Sequence, residues 1–319
     1  MHLGVVGVGW WGKNIVNTLE RFDDVSEVSI FDGHTSAYDK FANNKKTMVV
    51  KSFEEMLSDK TVAAVCVATP PDTHYAYSKK TLLAGKHLLV EKPPAIETSQ
   101  VRELGEIAAN ANLVYMLDAL YLFAEPIRKL KEILSGGELK NLRYVQMFRV
   151  GDELRRPKAG IHRLRKTMFA NGVNVIDDLF FHDAAIILYL FGEFEYRSSE
   201  RLYLYDKSCC DTARINLVTH GVPIELTLSW TLAGRRRGVV IYDQNFIVEY
   251  LNDHNGQDHV TKHDLQENKA ENFAFPPAAP LDDLLHYFLC CVKGEQLNRL
   301  GPSFFERITE VWRAIRNDD

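Results

Sequence analysis

The segment DDLFFHDAAIILYLFG carries acids and a histidine at one end of an otherwise apolar run. Asp178 and His182 are four residues apart, and Asn174 lies four residues before Asp178. In a helix over residues 174–191, four residues advance by about 400°, so the three side chains would form one polar stripe. A histidine beside a carboxylate suits general acid–base catalysis, because its pKa starts near neutral pH. The same pair also fits a satisfied structural contact in a core.

A lysine follows a short apolar run in KHLLVEKPP, where Glu91 and Lys92 end a predicted strand. Open α/β sheets bind ligands outside the carboxyl ends of their strands, so Lys92 would face a ligand there. Taken alone, the segment also fits a surface lysine in a proline-rich turn.

The stretch VVGVGWWGKN holds Gly7, Gly9 and Gly12 as G-x-G-x-x-G after an apolar run. The first glycine permits a tight turn, the second lets a pyrophosphate approach, and the third lets helix and strand pack closely. The start of the following helix offers N–H groups to phosphates. Asp32 ends the second predicted strand, where a carboxylate binds a ribose diol and repels a 2′-phosphate. The segment therefore predicts a dinucleotide site that prefers NAD, with NADP disfavoured.

The elements that must position these residues differ between the two parts of the chain. Over the first 120 residues, short apolar runs alternate with helix-like segments, which predicts a parallel sheet covered on both faces. Later segments read as a strand over 142–150, a hairpin over 213–230 with a turn at His220, and a strand pair over 238–251. Residues 252–280 predict a loop.

We therefore predict an α/β fold in which an N-terminal Rossmann doubly wound parallel sheet is followed by an α+β domain. The second domain would contain a large open, mostly antiparallel sheet. The predicted domains are residues 1–120 for dinucleotide binding and residues 121–319 for the remainder.

Three segments together resemble the glucose–fructose oxidoreductase/inositol dehydrogenase (Gfo/Idh/MocA) family: GVGWWGKN, ATPPDTHYAYSKKTLLAGKHLLVEKPP and NVIDDLFFHDAAIILYLFG. The similarity is closest to the bacterial sugar-nucleotide branch of the family. It implies hydride transfer between a sugar carbon and a nicotinamide. It also implies a second domain that binds substrate and whose open sheet forms homodimers or homotetramers.

The family's site residues map onto this chain by motif. The E-K-P lysine is Lys92, and the D-x-x-x-H pair is Asp178 and His182. Either His182 or Lys92 would accept the hydroxyl proton, Asp178 would orient the ring or bind the sugar, and Lys92 would stabilise the alkoxide. The residues expected at the cofactor are Gly7, Gly9, Trp10, Trp11, Gly12, Asp32, Thr69, Pro70, His74, Glu91 and Lys92.

Residues 154–166, LRRPKAGIHRLRK, are basic in an acidic chain and precede the polar stripe. Guanidinium groups bind phosphates and carboxylates, so we predict a nucleotide-linked sugar or a sugar acid as substrate. The run at residues 235–237 is interpreted as solvated loop charge. The residues expected at the substrate are Tyr121, Arg149, Arg155, Arg156, Asn174 and Trp230.

Other functions stay open at this point. A neutral polyol or free sugar would suit an inositol-type dehydrogenase of the same family. A non-catalytic regulator that senses dinucleotides would keep the glycine loop, but it would not need Lys92, Asp178 and His182 together. A methyltransferase has a similar glycine loop, and the VEKPP turn and the later hairpins disfavour it.

Composition excludes several further classes. The net charge of −5 and the pI of about 6.1 argue against a nucleic-acid-binding protein. The five cysteines match no zinc spacing, so we expect reduced thiols and no metal site. The longest apolar run falls short of the ~20 residues that a membrane span needs. With no secretory signal pattern at the N-terminus, these features predict a cytoplasmic protein without a membrane partner.

Overall fold

The structure is a computed structural model that describes residues 1–152, 154, 168, 172–205, 207–253, 255–276 and 279–318. The chain divides into two compact units. The first comprises Met1–Leu120 and Ala279–Glu310, and the second comprises Tyr121–Ala278 and Val311–Asp319.

The first unit is built on a six-stranded parallel sheet. Its strands are β1 (His2–Val6), β2 (Glu27–Phe31), β3 (Thr47–Val49), β4 (Val62–Val67), β5 (His87–Val90) and β6 (Tyr115–Leu117). The first four helices are α1 (Gly12–Leu19), α2 (Phe53–Ser58), α3 (His74–Leu83) and α4 (Thr98–Asn110). The strand order is β3-β2-β1-β4-β5-β6, so the order reverses next to β1. Every residue of β1 is buried, as expected for a strand covered on both faces.

Local sequence features account for the start of α2 and for the parallel sheet of this unit. Ser52 caps α2 by accepting a hydrogen bond from the backbone N–H of Glu55 at 3.0 Å, a common role of serine at the start of a helix. The Glu55 carboxylate in turn accepts from the N–H of Lys51 rather than from Ser52 itself. The doubly wound parallel sheet predicted from the alternating apolar runs is confirmed.

The second unit is built on an eight-stranded sheet with the order β14-β13-β12-β11-β7-β10-β9-β8. Its strands are β7 (Leu142–Val150), β8 (Glu195–Leu202), β9 (Thr212–Thr219), β10 (Val222–Ser229), β11 (Arg236–Asp243), β12 (Phe246–Asn252), β13 (Asp258–Asp264) and β14 (Lys269–Ala274). Only β7 and β10 pair in parallel, and the other neighbours are antiparallel. The predicted mostly antiparallel sheet is therefore confirmed.

Helices α5 (Glu125–Ser135) and α6 (Val175–Phe191) also belong to the second unit. The polar stripe predicted over residues 174–191 lies on α6, which ends at Gly192 with a φ of 84°. The predicted hairpin turn is present between β9 and β10, where His220 and Gly221 have φ values of 48° and 80°. Two consecutive positive φ values match the right-handed twist of the paired strands.

The prediction of a loop over residues 252–280 is wrong, because β13 and β14 lie within that range. These strands have almost no apolar alternation, since Val260 is the one fully buried position on β13 and none is fully buried on β14. They form by pairing in register with β12 and with each other. Periodicity cannot reveal a strand whose two faces are both largely polar.

The end of the chain also differs from the predicted domain of residues 121–319. Helices α7 (Pro280–Val292) and α8 (Pro302–Asn317) follow β14, and Ala279–Glu310 belongs to the first unit. Arg21 donates to Asp282 at 2.7 Å, and Lys293 donates to Asp24 at 2.7 Å. Both helices are amphipathic, but periodicity alone does not identify the surface that covers their apolar faces.

Candidate active-site residues

The structure of the glycine loop after β1 shows why glycine occupies each of the three positions. Gly7 has a φ of +81°, and a Cβ there would lie 2.6 Å from the backbone of Ala68. A Cβ on Gly12 would lie 1.9 Å from the carbonyl oxygen of Gly7. A Cβ on Gly9 would meet no heavy atom within 4 Å. Two glycines are therefore required by the chain's own packing, whereas Gly9 leaves open space beside the loop, which fits a pyrophosphate.

The start of α1 fits the same group. Trp11 occupies the N-cap position, no side chain among the described residues caps this end, and the first turn contains no acid. The N–H groups and the positive end of the helix dipole are therefore not satisfied by a side chain. Trp10 is 50% exposed and stacks on Trp11 with ring centroids 6.1 Å apart.

Asp32 follows β2 and its carboxylate is tied to the glycine loop. Oδ2 accepts from the N–H of Val8 at 2.8 Å, and Oδ1 accepts from the N–H of His34 at 2.9 Å. The carboxylate is thereby held next to the loop, in the position that the sequence predicted for a ribose-binding acid.

Lys40 is a neighbour of the glycine loop that the sequence analysis missed. Its Nζ donates to the carbonyl of Val8 and, at 3.4 Å, to that of Gly9. Partial loss of hydration and then the charge of Lys13 lower the pKa of Lys40, whereas Asp32 opposes that change. Lys40 is eight residues beyond Asp32 in the sequence, and a short turn of helix returns it to the loop.

His74 bridges the turns that follow β4 and β5. Its Nδ1 lies 2.7 Å from the carbonyl oxygen of Pro93, and its Nε2 lies 2.7 Å from that of Thr69. Burial lowers the pKa of His74, while both carbonyls raise it. Thr69 is half-buried and Pro70 is exposed at the same turn. The predicted cofactor residues Thr69, Pro70 and His74 thus lie at the same edge of the sheet as Glu91 and Lys92.

A hydrogen-bonded pair of carboxyl groups, Glu91 and Asp118, lies at the carboxyl ends of β5 and β6. Asp118 is 3% exposed and its Oδ2 accepts from Nε1 of Trp11 at 2.9 Å. The Glu91 carboxyl accepts from the N–H of Lys92 at 2.8 Å. Burial raises the pKa of both groups, and the charge of Asp118 raises that of Glu91 further. Asp118 follows an apolar strand just as Asp32 does, and this was the signal in the sequence.

In the second unit, Asn174 forms the N-cap of α6 rather than part of its stripe. Its Oδ1 accepts from the N–H groups of Ile176 and Asp177, at 2.9 and 3.0 Å. Asp178 and His182 lie on the helix one turn apart, and both are half-buried. The predicted stripe is therefore reduced to the acid and the histidine, because the amide oxygen of Asn174 satisfies the free end of the helix.

Trp230 contacts the acid of this pair. Its indole Nε1 donates to Oδ2 of Asp178 at 3.3 Å, and its side chain is completely buried. The structure thus places Trp230 behind Asp178, where it can orient the carboxylate.

Tyr121 contacts the histidine of the pair. Its ring meets the His182 ring edge to face, with centroids 4.9 Å apart. The guanidinium carbons of Arg149 and Arg237 lie 4.4 and 4.7 Å from the Tyr121 ring centroid. Arg149 is buried and binds Asp183 through two hydrogen bonds of 2.8 and 2.9 Å. The predicted substrate residues Tyr121 and Arg149 are therefore close to His182.

The interpretation of residues 235–237 as solvated charge does not hold for Arg237. Arg235 and Arg236 are exposed, but Arg237 is half-buried and its Nε donates to the hydroxyl of Tyr250 at 2.9 Å. Tyr250 in turn donates to Asp258 at 2.9 Å. Successive side chains of a strand point to opposite faces, so Arg236 and Arg237 differ in exposure, which a run of three like residues conceals.

The predicted substrate residues Arg155 and Arg156 lie outside the described residues. None of the described helices has the length and apolar character that a membrane crossing requires.

Known proteins provide an independent comparison. Residues 1–119 match the Gfo/Idh/MocA model, described as an oxidoreductase family with an NAD-binding Rossmann fold. UDP-N-acetylglucosamine 3-dehydrogenase of Acidithiobacillus ferrooxidans is 25% identical over 257 residues, which are 79% of this chain and 75% of that protein. The matches to four other curated relatives, from different organisms, cover only 40–44% of those proteins' length.

Solved structures support the fold over the whole chain. The structure of the A. ferrooxidans dehydrogenase superposes with a TM-score of 0.82 at 20% identity, covering 100% of this chain and 97% of that one. A 3-ketoreductase from Actinomadura kijaniata, solved with NADP and TDP-benzene, gives a TM-score of 0.83 at 18% identity with the same coverage. The resemblance seen in the sequence motifs is therefore confirmed, since the first 119 residues of the chain match the model of the Gfo/Idh/MocA oxidoreductase family.

Proposed function

We propose that this protein is an NAD-dependent oxidoreductase that acts on a secondary alcohol or ketone of a nucleotide-linked sugar. One observation carries the proposal. The glycine loop leaves open space at Gly9 beside an uncapped helix, in a segment that matches an NAD-binding oxidoreductase family. A dinucleotide bound there would accept or supply the hydride.

The first unit would hold the dinucleotide. Its pyrophosphate would bind the loop at Gly9 and the start of α1, and Asp32 would bind the adenosine ribose. Thr69, Pro70, Glu91 and Lys92 would then lie beside the nicotinamide half, because they follow strands on the other side of β1.

The second unit would supply proton transfer. We assign His182 as the group that accepts the hydroxyl proton, with Tyr121 packed against its ring. Asp178, held by Trp230, would bind the sugar or orient the imidazole. Lys92 would stabilise the negative charge that develops on the sugar oxygen.

The substrate class rests on cationic residues and on relatives. Arg149 and Arg237 flank Tyr121, and the basic stretch at residues 154–166 precedes α6 in the sequence. The A. ferrooxidans relative is named for a UDP-sugar substrate, and the A. kijaniata enzyme was solved with a TDP compound. A diphosphate is the feature that these compounds share and that guanidinium groups would recognise.

The central test is turnover by wild type, His182→Ala and Lys92→Ala. We expect NAD-dependent turnover of a UDP- or TDP-sugar, and a fall in kcat of about 10²–10⁴-fold in each variant. His259→Ala and Lys269→Ala are the matched controls, because both side chains are exposed on strands of the sheet. Near-normal turnover in both site variants would refute the assignment. Turnover of myo-inositol in place of nucleotide sugars would refute the substrate class.

Cofactor preference gives a second test. Asp32 would repel a 2′-phosphate, so we expect NADH to bind more tightly than NADPH. Asp32→Ala should reduce the ratio of the two affinities by about tenfold or more, the effect of ~1.4 kcal/mol. Asp39→Ala, an exposed acid in the same connection, should leave the ratio unchanged. Tighter binding of NADPH by the wild type would contradict the proposed preference.

A further inference from the structure

Glu91 would lie beside the nicotinamide, but neither it nor its partner Asp118 takes part in the proton transfer described above. The two groups come from neighbouring parallel strands, β5 and β6, and are hydrogen-bonded to each other. Two carboxyl groups can share a hydrogen bond only when one of them carries a proton. The N–H groups of Trp11, Leu120 and Lys92 donate to the two carboxyl groups and stabilise one of them as a carboxylate, which leaves the pair with one proton and one negative charge.

The surrounding donors determine where that negative charge lies. Asp118 accepts from Nε1 of Trp11 at 2.9 Å and from the N–H of Leu120 at 3.2 Å. Glu91 accepts from the N–H of Lys92 at 2.8 Å. Asp118 thus has two N–H donors and the Glu91 proton, so it carries the charge and Glu91 carries the proton.

The position of the pair in the sheet places it at the edge where a dinucleotide would bind. The order of the strands reverses beside β1, and dinucleotides bind across such a point. With the adenosine half at Asp32 after β2, the nicotinamide half lies toward β4, β5 and β6. The nicotinamide ring has a positive charge when oxidised and none when reduced, so a nearby fixed charge changes its two affinities differently.

We propose that the Glu91–Asp118 pair is a built-in negative charge that makes the protein bind the oxidised dinucleotide in preference to the reduced one. The inference rests on the proposed function, because it requires a nicotinamide dinucleotide in the site. The protein itself would then set the ratio of its affinities for the oxidised and reduced dinucleotide. Loss of the shared proton at alkaline pH would double the negative charge and strengthen the preference.

Other ionisable groups face the pair from the neighbouring elements of this unit. Lys92 follows β5, and its positive charge opposes part of the effect. Cys66 lies on β4, where burial and then Asp118 raise the pKa of its thiol, which keeps it uncharged. His74 lies near Lys92, and burial lowers the pKa of its imidazole. A pH dependence of the preference for the oxidised dinucleotide that occurs only when both carboxyl groups are present can therefore be assigned to the pair.

The experiment measures the dissociation constants of the oxidised and reduced forms of whichever dinucleotide the wild type binds more tightly. These are determined between pH 6 and pH 9 for wild type, Glu91→Gln, Asp118→Asn and the double variant. Taking the ratio of the two constants cancels any contact that both forms lose equally. Glu103→Gln is the control, because that carboxylate is partly exposed on α4 and binds Lys79 and Tyr75.

The pattern expected across the variants is specific. Glu91→Gln leaves Asp118 with its N–H donors and one negative charge, so the ratio near neutral pH should change less than about threefold. Asp118→Asn leaves Glu91, whose pKa burial raises, so its ratio near neutral pH should lie between those of wild type and the double variant. The double variant has no charge, and its preference for the oxidised form should fall by at least about tenfold, equivalent to ~30 mV for a two-electron couple. The alkaline increase should occur in wild type and the control and be absent from Glu91→Gln and the double variant.

Failure of the inference and failure of the proposed function give different results. If wild type binds neither form of either dinucleotide, the proposed function is wrong. If both forms bind but the wild-type ratio does not change with pH and the double variant matches wild type, the inference is wrong. If the double variant does not fold, the alkaline change in Glu91→Gln still decides, because its persistence there contradicts a shared proton.

Discussion

At the scale of single residues, the structure separates side chains that the sequence could identify from those that it could not. Motif spacing identified Asp178 and His182, and both lie on one helix. It could not identify Lys40 or Arg237, because each contacts its partners only after the chain has turned or a strand has taken its register. Residue type and local spacing predict which side chains lie together within one helix or strand, but they do not predict contacts between different elements.

The buried ion pair of Arg149 and Asp183 supports a prediction at this scale. Asp183→Asn leaves a buried guanidinium without its charge partner, so we expect the free energy of unfolding to fall by about 3–5 kcal/mol. Denaturant unfolding measures this value. Arg214→Met breaks an exposed pair with Glu200 and should cost less than ~1 kcal/mol. Equal losses of unfolding free energy in the two variants would show that the buried pair stabilises the fold no more than the exposed pair does.

At the scale of elements, the helices and strands with clear periodicity or turn signals were predicted well. The glycine loop, the hairpin at His220 and the helix that bears His182 all carried such signals. The polar strands β13 and β14 carried none, so they were predicted as a loop. Asn174 shows the same limit at a boundary, because spacing placed it in the helix and its hydrogen bonds make it the cap.

The cap of α6 supports a prediction at the scale of this element. Asn174→Ala removes the acceptor for two backbone N–H groups, so we expect the free energy of unfolding to fall by about 1 kcal/mol. Asn174→Asp keeps an acceptor and should restore most of that stability. A loss of turnover with Asn174→Asp but unchanged unfolding would instead favour the predicted role at the substrate.

At the scale of the whole molecule, the motifs predicted two folded units, but they did not predict how the C-terminal helices are divided between them. That division depends on contacts between positions more than 200 residues apart, such as Arg21 with Asp282. The family's use of its large sheet for assembly also stays a prediction for this chain.

The eight-stranded sheet makes the prediction of a homodimer or homotetramer testable. Tyr144, Tyr242 and Ile247 form one cross-strand row, and all three are half-buried in the second unit. An apolar row on a sheet face suits a contact between copies of the chain. Sedimentation should show a dimer or tetramer for wild type and a monomer for Ile247→Asp. Glu106→Lys, an exposed position on α4 of the first unit, is the control, and a monomeric wild type would contradict the prediction.

Lys40 and Asp32 together fix the shape of the glycine loop in the first unit. Asp32 accepts the N–H of Val8, and Lys40 donates to the carbonyl of the same residue. One peptide segment is thus braced by an anion on its donor and a cation on its acceptor. A nucleotide that reaches this loop meets a surface already set in shape, so ordering the loop adds little entropic cost to capture.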